Sequence, residues 1–199
     1  YCNQKIKQVV SYWFQKIPPE LFNTSQLSQA KYLLFDATYF HHSGCLMCLL
    51  DTQKQQILRI SYSRRENYSS AYSIFTELKE QGLNPVSITL DGNTTVLQAV
   101  ADVWPQVLIQ RCVVHVQRQG LSWLRRNPKL ESAQQLRRML LCLPAIRTFE
   151  EKTDFIGKLN LWLTMYGRKI DQLPKNDKIY SDLQRTKSLL VHASEHIFH

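Results

Sequence analysis

Tyr32-Leu33-Leu34-Phe35-Asp36-Ala37-Thr38-Tyr39-Phe40 reads as a β-strand with an acid in its middle. Aromatic and aliphatic residues dominate it, and the turn residues His41-His42-Ser43-Gly44 end it. Cys45 to Leu50 is a second strand, Asp51 to Gln56 a polar turn and Ile57 to Ser61 a third strand. Short turns between successive strands predict an antiparallel meander. The pattern then changes. Asn67 can cap a helix over 68–81 that Gly82 stops. Val86 to Leu90 is a fourth strand ending in Asp91-Gly92, Thr94 to Val103 is helical, and Val107 to Gln110 is a fifth strand. The order βββ-α-β-α-β predicts a mixed five-stranded sheet covered by helices, an α/β core.

Outward from that core the chain is helical. Ile6, Val9, Val10, Trp13, Phe14 and Ile17 form one stripe of a helix over 3–17, which Pro18-Pro19 ends. Beyond His115, strand patterns vanish, and helices are expected over 115–126, 129–143, 148–166 and 177–197. The predicted organisation is an N-terminal helix and connection (1–29), an α/β core (30–111) and an all-helical region (112–199).

The chain has 199 residues, of which 44% are hydrophobic, a globular composition. No apolar run is long enough to span a membrane. The first residues, Tyr1 to Lys5, form no secretory signal and read as a chain cut from a longer one. Five cysteines in irregular spacing suit a reducing, intracellular setting rather than a disulfide framework. Cys45 and Cys48 are read as core residues, because i and i+3 in a strand face opposite ways. The net charge of +9 favours a polyanionic partner, nucleic acid before membrane surface.

Two acids sit where their neighbours do not suit acids. Asp36 interrupts an apolar strand, where a carboxylate needs compensation. Asp91 follows Val86 to Leu90 at the carboxyl end of a strand, the edge where α/β sheets place ligands. If the first and fourth strands pair in parallel, both acids meet at one edge. Facing carboxylates favour a hard divalent cation, Mg²⁺ or Mn²⁺, of the kind that activates water for phosphoryl displacement. Plainer readings stand beside this one: Asp91-Gly92 as a turn alone, and Asp36 as a cap for a neighbouring N–H.

Leu34-Phe35-Asp36-Ala37-Thr38-Tyr39-Phe40 resembles the first-Asp motif of Mutator-like DDE transposases, and Leu90-Asp91-Gly92-Asn93 resembles their second. Gln110-Arg111-Cys112-Val113-Val114-His115-Val116-Gln117-Arg118 resembles the CxxH motif that follows the next strand in that family. The resemblance spans roughly residues 30–120. It implies an RNase H-like fold with an all-α insertion, two catalytic metal ions held by a DDE triad, and cutting and joining of DNA ends. Asp36 and Asp91 would be the first two acids. It also implies transposon-end and target duplexes as partners, a homo-oligomer in the active complex, and work on DNA in the nucleoid of a bacterium or the nucleus of a eukaryote. The polar stretch expected before the third acid is missing, so that Glu is expected beyond residue 199, with Glu195 as the candidate inside the chain. Another RNase H-like nuclease and a non-catalytic DNA-binding remnant are the alternatives.

Cys112 and His115 carry two readings. With His192 and His196, one helical turn apart, they could complete a zinc tetrahedron; otherwise Cys112 is buried at the strand end and His115 packs against the first helical turn. Arg111, Arg118, Arg125, Arg126 and Lys129 lie within 19 positions, with Trp123 among them. They are candidate phosphate contacts, and Trp123 a candidate to stack on an unpaired base; the plainer reading is a solvated helical face.

Overall fold

The computed structural model describes residues 27–40 and 44–197. The helix expected over 3–17 lies outside them. Among the described residues no helix is long and apolar enough to cross a membrane.

The chain divides into two compact units, Tyr1–Gln110 and Arg111–His199. The first is built on a five-stranded sheet: β1 (Tyr32–Phe40), β2 (Gly44–Asp51), β3 (Gln56–Ser63), β4 (Ser87–Leu90) and β5 (Leu108–Arg111) in the order β3-β2-β1-β4-β5. β1 pairs antiparallel with β2, β2 antiparallel with β3, and β1 parallel with β4. Among the described residues this unit contains the helices α1 (Tyr68–Glu80) and α2 (Thr94–Val103). The predicted order βββ-α-β-α-β is therefore present, with strand directions that make it an RNase H-like mixed sheet.

Period-two alternation sorts the strands into two faces. Leu33 and Phe35 of β1 and Cys45, Met47 and Leu49 of β2 are buried with Ala71, Phe75 and Leu78 of α1 and Val96, Ala99 and Val100 of α2. Phe75 stands edge-on to Phe35, with 5.1 Å between ring centroids. The intervening residues Leu34, Asp36, Leu46 and Cys48 are only half-buried. Asp36 therefore avoids the apolar core although its strand is apolar. Cys48 departs from the core placement expected of it: only Cys45 is buried, and Cys48 is the cross-strand partner of Asp36 on the other face.

Asn67 caps α1 as expected, its carboxamide accepting from Ser70 N at 3.0 Å while the Ser70 hydroxyl accepts from Asn67 N. Gly82, at φ +95°, follows the end of that helix.

The second unit holds α3 (Val113–Trp123), α4 (Glu131–Cys142), α5 (Phe149–Trp162), α6 (Arg168–Asp171) and α7 (Lys178–Ser194). Its core contains Val116, Leu136, Leu140, Phe155, Leu159, Trp162, Leu183 and Leu190. α3 packs on both α4 and α7. Gly120 allows the first contact: a Cβ there would meet Leu140 Cδ1 at 2.6 Å. The continuous helix expected over 148–166 instead ends at Trp162 and passes through a π-helical turn, Leu163–Gly167, into α6. Lys187 of α7 donates to the Gly167 carbonyl at 3.2 Å and pairs with Asp171. The neighbouring helix thus ties down the end of the π turn.

Candidate active site

β1 and β4 run side by side in the same direction. Tyr32, Leu33 and Leu34 face Ser87, Ile88 and Thr89. Asp36 lies two residues past Leu34, and Asp91 two residues past Thr89. Both acids thus lie the same number of residues beyond the last paired residues, toward the carboxyl ends of the two strands. β3 is antiparallel to β2 and hence parallel to β1. The carboxyl ends of β1, β3 and β4 therefore share one edge of the sheet.

That edge carries a third acid. Glu66 lies in the connection from β3 to α1 and is half-buried. Its Oε2 accepts from Asn93 Nδ2 at 3.0 Å. Burial raises its carboxyl above the usual carboxylate range; the hydrogen bond from Asn93 works against this, and the charges of Asp91 and Asp36 add to the rise. Glu66 thus feels the charge of both aspartates. Burial also raises the Tyr39 hydroxyl; a hydrogen bond to the Glu66 backbone works against this, and the charges of Glu66, Cys45 and Asp91 add smaller rises. Burial and then the Asp36 charge raise the Cys48 thiol.

The loop that presents Asp91 is held by its own hydrogen bonds. Gly92 has φ +99°, a left-handed conformation that costs a side-chain-bearing residue about 1–2 kcal/mol. Asn93 N donates to Asp91 Oδ1 at 2.9 Å. The Asn93 carboxamide oxygen caps α2 by accepting from Thr95 N at 3.1 Å, while its NH₂ reaches Glu66. Asp91 thus closes a local side-chain-to-backbone hydrogen bond just past the end of β4.

Glu66 escaped the sequence reading because it sits in a polar stretch, Ser63-Arg64-Arg65-Glu66-Asn67, where a charge needs no explanation. The signal available was topological: in a βββ-α order the connection after the third strand returns to the edge where the first strand ends.

The other candidate residues lie in the helical unit. Cys112 is the residue before α3, and Arg111 N donates to the His196 carbonyl at 2.8 Å, which ties the start of this unit to its end. The four-ligand zinc set does not assemble: among the described residues no three His, Cys, Asp or Glu side chains form a group that could hold a metal ion. α7 ends at Ser194, so His196 is off the helix and the expected i,i+4 pair is broken. The His192 ring Nδ1 is instead 2.7 Å from the Ser188 carbonyl oxygen. Glu195 is the C-cap of α7. Arg118, Arg125, Arg126 and Lys129 are exposed, and Arg111 is half-buried.

A family model described as Transposase, Mutator family, matches residues 46–175. The transposase for insertion sequence element ISRM5 of Rhizobium meliloti (strain 1021) is 31% identical over 117 residues, 58% of this chain and 28% of that protein. The chain thus spans little more than a quarter of that relative's length. Among solved structures, a chain of the simian T-cell lymphotropic virus intasome in complex with the PP2A regulatory subunit B56 gamma overlaps 77% of this chain and 47% of its own, at 15% identity and a TM-score of 0.33. The HTLV-2 integrase catalytic core domain, in complex with magnesium, overlaps 77% of this chain and 83% of its own, at 14% identity and a TM-score of 0.34. The fold assignment rests on strand order and direction, not on these overlaps.

Proposed function

Since the chain belongs to the Mutator family of transposases, we propose that its sheet unit is the metal-dependent catalytic core of a DDE-type enzyme that cleaves DNA strands and joins them to a target. The observation that carries this reading is the shared sheet edge of Asp36 and Asp91, each at the same step beyond the parallel β1–β4 ladder. Their donor atoms are all carboxylate oxygens, which suit Mg²⁺ or Mn²⁺. Glu66 supports the fit: burial raises its carboxyl, the charges of Asp91 and Asp36 add to the rise, and a divalent cation would relieve that added part.

Asp36 and Asp91 would hold the metal ions, and Glu66 would anchor the Asp91 loop through Asn93. When bound, such ions lower the pKa of the attacking water or hydroxyl and neutralise charge on the phosphodiester. The third acid of the triad is proposed as Glu195 or a residue outside this chain. The helical unit would supply duplex contacts through Arg111, Arg118, Arg125, Arg126 and Lys129, and the active complex would be a homo-oligomer working inside the cell, on transposon ends and target DNA.

Direct metal binding tests this. Water proton relaxation with Mn²⁺ should report binding to the chain that falls at least about tenfold in Asp36→Asn and in Asp91→Asn, since each removes one of two charged ligands. Unchanged binding in both variants would overturn the metal-site reading. Strand transfer with Mn²⁺ then separates a transposase from a nuclease, because only the former gives joined products. Joining that disappears in Glu195→Gln would assign that residue as the third acid.

A further inference from the structure

A cavity of about 600 Å³ opens within the helical unit, between the segment that ends α3 and the first half of α7. We propose that it receives one unpaired nucleotide of a DNA strand, the base against Trp123 and Tyr180 and the phosphate on Arg125, Lys129 and Lys178. This deepens the transposase reading and rests on it.

Size excludes a duplex, which is far too wide for such a space, but admits a nucleotide, since pockets of roughly 300–1,000 Å³ enclose ligands of that class. Its walls combine two aromatic rings with four cations: Arg125, Lys129, Lys178 and Arg185. The two acids at the rim are already committed. Asp177 Oδ1 caps α7 by accepting from Ile179 N at 2.7 Å, and Asp182 pairs with Arg185 at 3.5 Å. The local charge is therefore positive where a phosphate would lie.

The second observation is a cation–aromatic contact. The Arg185 guanidinium lies over the Trp123 ring, 4.3 Å from its centroid. An arginine beside an exposed aromatic ring is a recurring element of single-stranded nucleic-acid sites, because every base offers a π-face. An acidic peptide would use the cations but has no use for the stack.

The pieces come from two ends of the unit. Trp123 closes α3, Arg125 and Lys129 lie in the connection to α4, and Lys178, Tyr180 and Arg185 lie on α7. Packing of α3 on α7 brings them together. No short motif contains the site.

The test compares three ligands by fluorescence anisotropy with the 199-residue chain: a blunt duplex, the same duplex with a three-nucleotide single-stranded overhang, and that overhang made abasic. The wild-type protein should bind the base-bearing overhang roughly 5- to 100-fold more tightly than the abasic one. Trp123→Ala and Tyr180→Ala should each reduce this preference while leaving blunt-duplex binding within about twofold. Equal affinity for base-bearing and abasic overhangs would overturn the proposal, and because it uses the wild-type protein it does so even if a variant fails to fold. Absence of binding to any duplex would instead count against the DNA reading itself.

Discussion

Glu66 shows how one residue can be silent in a sequence and central in a fold. Its carboxyl is raised by burial, and the negative charges of Asp91 and Asp36 add to this against the Asn93 hydrogen bond. The sign of its effect on stability follows. A folded-state pKa above the usual value, near 4.5, means that the native state binds the proton more tightly than the unfolded chain. The stabilisation is full below that usual value and is lost as pH rises through the folded pKa. In the presence of a chelator, Glu66→Gln should therefore melt at a higher temperature than the wild type at neutral pH. The gap should close as pH approaches 4.5, read by thermal melts across a pH series. A variant less stable than wild type at neutral pH would mean that the Asn93 hydrogen bond outweighs the charge crowding. Asp36 was legible by contrast, because a charge inside an apolar strand is conspicuous. Its role as half of a pair was not legible until β1 and β4 were seen to run together.

Among the elements, strands and caps followed from local chemistry, and the departures trace to tertiary contacts. β1 and α2 have the predicted bounds, and Asn67 and Asn93 cap the helices they precede. Alternation in β1 and β2 sorts buried from half-buried residues, yet it could not say which face Cys48 would occupy. The π turn after α5 interrupts the helix expected over 148–166, and Lys187, 20 residues past Gly167, donates to the Gly167 carbonyl there. Close helix packing is equally non-local. Gly120→Ala would place a methyl group 2.6 Å from Leu140 Cδ1, and Leu140 is fully buried. With little room for Leu140 to move, overpacking should cost about 1–3 kcal/mol, less any gain in helix propensity, measurable as a lower urea midpoint. Gly92→Ala should cost about 1–2 kcal/mol for its left-handed φ and should also weaken Mn²⁺ binding, because the same turn presents Asp91.

Charge separates the two units of the whole molecule. Residues 111–199 carry 16 Lys+Arg against 8 Asp+Glu, a net +8, whereas residues 1–110 carry 9 against 8, a net +1. Nearly all of the basic excess thus belongs to the helical unit, while the acidic edge belongs to the sheet unit. Duplex binding should accordingly be strongly salt-dependent. If about six phosphates are neutralised, log K should fall against log salt with a slope near −5, and each of Arg118→Gln, Arg125→Gln and Arg126→Gln should reduce that slope by about 1. A slope near zero in the wild-type chain would assign the positive charge to solvation alone.

The sequence by itself determined the element order, the helix caps, the strand alternation and the two conspicuous aspartates. These depend on neighbours within a few positions, where periodicity, capping and burial cost act directly. Tertiary structure decided what distant segments do to one another. It brought Glu66 to the aspartate edge, because parallel strands end together. It broke the expected His192–His196 pair by ending α7 at Ser194. It also placed Arg185 on Trp123, 62 positions away, because α3 packs on α7. Each of these requires the closure of a long loop, and no local pattern encodes such a closure.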